Sequence, residues 1–160
     1  MGELVMSRLL ANLVSVLFFA IFSASAVTKN EVKVIRVIDG DTFVISNDSK
    51  HIRMAEIDAP EKTQSYGVES YMTLKNKIEG KVVILDVISQ DKYGRLISSV
   101  YLNGDSVNRY LVSIGSAWVY EYYCKDKSLY SLQYKSKITK KGLWREDRPL
   151  PPWKYRELNK

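Results

Sequence analysis

The chain has 160 residues, 46% of them hydrophobic, and carries a net charge of +6 at pH 7. That length holds one ordinary globular core and no second domain, and the positive balance favours polyanions, either nucleic acid or an anionic membrane surface. A single His and a single Cys exclude a zinc or thiolate centre and any intramolecular disulfide, so Cys124 is expected to be partly buried and inert.

Leu9–Ala26 is a mostly apolar run that follows Arg8 and ends in Ala24-Ser25-Ala26. It reads as a secretory signal cleaved before Val27. The alternative is an uncleaved membrane anchor, since the run approaches spanning length, but Asn12, Ser15, Ser23 and Ser25 lower its hydrophobicity. Cleavage implies a secreted or periplasmic protein with no stable membrane association, and a monomer is expected. Glu3 and Arg8 cancel, so the positive charge survives removal of residues 1–26. The expected organisation is a signal over 1–26, a folded domain over 27–144 and a tail over 145–160.

Val32, Val34, Val37 and Ile38 predict a first strand over Glu31–Ile38, and a second follows at Thr42–Ser46. Asn47-Asp48-Ser49 is a turn, and Lys50–Ile57 is a third strand with Arg53 and Ala55 on one face and Ile52, Met54 and Glu56 on the other. Val68, Tyr71, Leu74 and Ile78 recur at helical spacing up to Gly80. Lys81–Ile88 and Arg95–Leu102 are further strands, and Asn103-Gly104 is a hairpin turn. Val107, Tyr110, Leu111 and Ile114 mark a second helix closed by Gly115. Ala117–Tyr123 is a short aromatic strand or loop, and Leu129, Leu132 and Ile138 mark a last helix before Gly142. Leu143-Trp144 is expected to fold back on the core. Beyond it, Pro149, Pro151 and Pro152 forbid a continuing helix and predict a mostly irregular tail, wrapped on the domain through Trp153 and Tyr155 or loose. Five short strands with about three helices give an α+β, mainly β class, a five-stranded Greek-key barrel of OB type.

The chemistry is concentrated between Ile38 and Glu61. Asp39-Gly40-Asp41-Thr42 forms a corner, Arg53 interrupts an apolar strand, and Asp58-Ala59-Pro60-Glu61 follows. Clustered acids in strand-rich sequence repel one another unless something positive lies between them. Asp41 and Asp58 with a backbone carbonyl make an all-oxygen set suited to a hard cation such as calcium. Pro60 turns Glu61 away from Asp58, so one acid can hold metal while the other accepts a proton from water. Arg53 offers planar donors that match a phosphate, and Arg95 in Asp91-Lys92-Tyr93-Gly94-Arg95 is the second candidate.

Those four blocks, in this order and spacing, resemble the staphylococcal (micrococcal, thermonuclease) nuclease family from about Val34 to Trp144. The resemblance implies an OB-type barrel and an endonuclease that hydrolyses DNA and RNA with little sequence preference and leaves 3′-phosphate ends. It assigns calcium to the Asp41 and Asp58 carboxylates and to a carbonyl at Ala59. It makes Glu61 the general base and Arg53 and Arg95 the phosphate-binding pair. Tyr93 and Tyr123 fall on nucleotide-contacting positions, whereas a further family tyrosine is replaced by Glu121, a place that Tyr120 or Tyr122 could take. Lys92 is either a phosphate neighbour or merely solvated. Asp39 is expected to shape the corner, and His51 to be a surface residue. A non-catalytic OB module that only binds nucleic acid is the alternative from another class.

Overall fold

The computed structural model describes residues 30–160 except 48. The signal expected over 1–26 lies outside the described residues. Strands β1 (Asn30–Val37), β2 (Thr42–Ile45), β3 (His51–Met54), β5 (Val82–Gln90) and β6 (Leu96–Leu102) form a closed ring. β1 pairs antiparallel with β2 and β5, β2 with β3, and β5 with β6; a parallel β3–β6 pairing closes the barrel. Its interior is filled by Val34, Phe43, Ile52, Met54, Val83 and Val100, the inward half of each strand's two-residue alternation. The mainly β, OB-type barrel read from the sequence is therefore the fold.

The third strand departs from the expected Lys50–Ile57. It breaks after Met54, because Glu56 takes a positive φ of 63° and turns the chain, and Ile57–Asp58 becomes a separate short strand β4. β4 pairs with β8 (Trp118–Val119), outside the barrel ring. The turn is held from several sides: Asn108 donates to the Ala55 carbonyl at 2.8 Å, and Glu56 accepts from the backbone amides of Lys125 and Asp126. This break lifts Asp58 out of the ladder and onto the rim.

Helix α1 (Gly67–Ile78) lies beside the rim and buries Ser70, Leu74 and Ile78. Val68, expected in its apolar stripe, is 57% exposed, one position off the buried face. β7 (Asp105–Ser106) leads into α2 (Val107–Ser113), whose Ser106 cap accepts from the amide of Arg109. Helix α3 (Ser128–Ile138) buries Leu129 but leaves Ile138 exposed; it seats instead through Gln133, which accepts from the Val119 amide, and Ser136, which donates to the Val112 and Ser113 carbonyls. Cys124 is buried, as expected, and burial pushes its thiol up. Within a 3₁₀ turn over Gly142–Arg145, Leu143 and Trp144 pack inward.

The irregular tail is a correction. Pro152–Leu158 forms a fourth helix, α4, with proline in its first turn. Pro149 and Pro151 stop a helix from running on out of the domain, yet Pro152 at a helix start loses no hydrogen bond and brings a φ already suited to it. Trp153 then stacks on Tyr120 at 5.6 Å and 19° and meets the edge of Trp118 at 5.7 Å.

Candidate active site

The Asp39–Thr42 corner reaches the rim because Gly40 has no side chain. A Cβ there would lie 2.6 Å from Ala59 Cβ and closer still to Ser70 Oγ, so the corner, α1 and the Asp58–Glu61 segment meet at that one residue. Gly67 does the same for the far end, its missing Cβ being the space that the Glu61 carbonyl occupies. Asp39 Oδ1 accepts from the Asp41 amide at 3.0 Å, the corner-shaping bond expected of it.

Asp41 is buried, with Oδ1 accepting from Thr42 Oγ1 at 2.9 Å and Oδ2 from the Ala59 amide at 2.7 Å. Asp58 is 1% exposed. Between these two carboxylates lies Arg53: its Nη2 is 2.8 Å from Asp58 Oδ1 and 3.1 Å from Asp41 Oδ2. Its Nη1 donates to the carbonyls of Met54 at 2.7 Å and Ile57 at 2.8 Å, so both arms of the fork hold the rim together. Glu61, half-buried, is joined to the pair through one further guanidinium. Arg156 from α4 sets Nη2 2.8 Å from Asp58 Oδ2 and Nη1 2.8 Å from Glu61 Oε1.

Four acids thus line one notch with two guanidiniums among them. Burial, aided by the charge of Asp41, pushes the Asp39 carboxyl up to about 7. Burial likewise raises Asp58, against the opposing pull of Arg156 and Arg53. Carboxyls whose charge is disfavoured by burial suit a positive ion, and oxygen donors suit a hard one. Among the described residues no three acid, His or Cys side chains are grouped closely enough to hold a metal alone. Two carboxylates completed by carbonyl, water or ligand oxygens are the set on offer, as hard divalent cations accept.

Arg95 is not joined to these acids. Its Nε pairs with Asp91 at 2.8 Å, its guanidinium lies 5.7 Å from the Tyr93 ring, and among the described residues its two Nη groups have no hydrogen-bond partner. It stands two residues before Ile97, the cross-strand partner of Arg53, on the same side of the barrel by the strand alternation. Lys92 lies 5.1 Å over the Tyr93 ring, and His51 is exposed without a partner among the described residues. Tyr93, Tyr122 and Tyr123 are exposed, whereas Tyr120 is covered by Trp153 and so has no free face there for a base. Arg156 escaped the sequence reading. The signal available was Pro151-Pro152 as a helix start with Trp153 and Arg156 three apart on one face.

Residues 51–146 match the pattern of the family described as staphylococcal nuclease homologue. A protein of Escherichia coli O157:H7 named an uncharacterized endonuclease is 42% identical over 127 residues, 78% of this chain and 83% of that one. One of the same name from Haemophilus influenzae is 35% identical over 147 residues, 90% and 83% of the two chains. The micrococcal nuclease of Shigella flexneri is 30% identical over 141 residues, 80% and 81% of the two chains. A barrel rim that gathers acids and arginines from the corner, β3 and the Asp58–Glu61 segment, within a chain matched over more than half its length, is that of a staphylococcal nuclease homologue, the family to which this chain belongs.

Proposed function

We propose that this nuclease is a calcium-dependent endonuclease that hydrolyses phosphodiester bonds of DNA and RNA with little sequence preference and leaves 3′-phosphate ends. The observation that carries the reading is the shared notch: Asp41 and Asp58 face one guanidinium at 3.1 and 2.8 Å, with Glu61 one further guanidinium away. Asp41, Asp58 and the carbonyl of Ala59 would hold the calcium, which supplies positive charge to a bound phosphate.

The chain's own residues do the rest. Glu61 accepts the proton of a water aligned with the scissile phosphorus. Arg95, with both Nη groups available, grips the phosphate, and Lys92 beside it adds charge. Arg53 fixes the carboxylates and gives the notch its permanent positive charge. Contacts to phosphate and to the solvent-exposed rings of Tyr93 and Tyr123 carry little sequence information, which supports broad substrate use. Export after cleavage behind Ala26 belongs to the same reading, and mass spectrometry of exported protein should find Val27 at its start.

The test is cleavage of single-stranded DNA and RNA in calcium, with and without chelator. Glu61→Gln should lose about a hundredfold or more in kcat while still binding DNA, and mass spectrometry of the products should find phosphate on the 3′ ends. Binding without cleavage by the wild-type protein would leave a nucleic-acid-binding module instead.

A further inference from the structure

The matched family region ends at residue 146, and the chain beyond it returns to the notch. Helix α4 inserts Arg156 among the acids, where its guanidinium touches three carboxylate oxygens: Asp58 Oδ2 and Glu61 Oε1 at 2.8 Å, and Asp58 Oδ1 at 3.3 Å. Asp58 Oδ1 is already taken by Arg53 at 2.8 Å. Asp58 Oδ2 accepts from Arg156 and, among the described residues, from nothing else. With α4 docked, both oxygens of Asp58 are engaged by guanidiniums, and the proton acceptor Glu61 is engaged with them.

We propose that Arg156 is a built-in cation of the notch that competes with the divalent metal for Asp58, so that docking of α4 sets the affinity of the site for metal. The inference rests on the calcium reading above. A carboxylate oxygen cannot both accept from a guanidinium and ligate a divalent ion through the same lone pairs at full strength, and two positive charges side by side at a partly buried rim repel. Release of Arg156 frees Oδ2 for metal and Glu61 for water in a single movement.

The attachment of α4 is suited to release. It has seven residues, an N-cap without a side-chain hydrogen bond, and a half-exposed Arg156. Besides the Arg156 ion pairs, its docking depends on Trp153 against Tyr120 and Trp118, on Tyr155 Oη donating to Thr63 at 3.1–3.2 Å, and on Gln64 donating to the Leu150 carbonyl. A half-open cleft of about 230 Å³ lies beside this strap, lined by Pro60, Gln64, Trp118, Pro149, Leu150 and Tyr155 among others.

The test is calorimetric titration of the full chain with calcium, free of nucleic acid. Arg156→Gln should tighten calcium binding about tenfold or more. Trp153→Ala, which loosens the strap without touching an acid, should shift it in the same direction. In the wild-type chain calcium should also speed amide exchange over residues 153–158. Unchanged or weaker calcium binding by Arg156→Gln, or unchanged exchange in the wild type, overturns the competition. A variant with unaltered calcium affinity and a raised KM for single-stranded DNA would make Arg156 a phosphate ligand and overturn it too. Calcium-dependent cleavage with unaltered affinity refutes the competition alone, whereas absence of calcium binding in wild type and variants refutes the calcium reading with it.

Discussion

Arg53 and Arg95 were read from the sequence as one phosphate-binding pair, but they differ in what holds them. Arg53 is a largely buried strut between two carboxylates and two carbonyls. Arg95 is a rim residue tied at one nitrogen to Asp91. Removing a partner from a buried pair leaves an uncompensated charge, so Arg53→Gln should lower stability by about 3 kcal/mol or more. Arg95→Gln should stay within about 1 kcal/mol of wild type in a denaturant melt yet lose about a hundredfold in kcat/KM. Asp39 offers a pH test. Its raised carboxyl holds a proton in the folded chain that the unfolded chain has released, so its contribution is favourable in acid and is lost as pH rises from about 4 through about 7. Asp39→Asn keeps the acceptor for the Asp41 amide and sheds the charge. In chelator, its unfolding free energy from denaturant melts should therefore gain on wild type across that window, the difference reaching on the order of 2 kcal/mol at neutral pH.

At the scale of elements, the strands and first helices were legible because their apolar alternation coincides with what the barrel buries. Ile52 and Met54 are core residues and Arg53 between them meets the acids, as a two-residue period requires. The break after Met54 was not legible, since it depends on Glu56 taking a left-handed backbone that Asn108 and the Lys125–Asp126 amides support from distant parts of the chain. Helix α3 was legible through Leu129 and Leu132, but Ile138 points outward, and the helix is seated also by Gln133 and Ser136, which a search for apolar spacing passes over. The notch itself was half legible. Asp41, Arg53 and Asp58 lie within one stretch of sequence, while Arg156 comes 95 residues after Glu61 and announces itself only through a short proline-led helix. Gly67 links element to site. A methyl group there would overlap the Glu61 carbonyl at 1.8 Å, so Gly67→Ala should cost about 2 kcal/mol and, by shifting Glu61, lower kcat more than the loss of folded protein explains; circular dichroism beside cleavage assays separates the two.

For the whole molecule, the decisive division is between a closed barrel and a strap laid across its rim. The barrel is completed by hydrogen bonding all round the ring, with the parallel β3–β6 contact as its closure. The strap is attached through aromatic faces, the Arg156 ion pairs and a few further polar bonds, along a seam beside a half-open cleft. The chain has three tryptophans, and Trp118, Trp144 and Trp153 all stand in one cluster at that seam, with the first two rings 4.3 Å apart. Indole emission therefore reports one seam and is nearly blind to the barrel interior, which contains none. Heating followed by fluorescence should register departure of the strap at a lower temperature than ellipticity registers loss of the strands. With that outcome, a single midpoint taken from either optical signal would misstate the thermodynamics of this protein, because strap and barrel would unfold as different cooperative units.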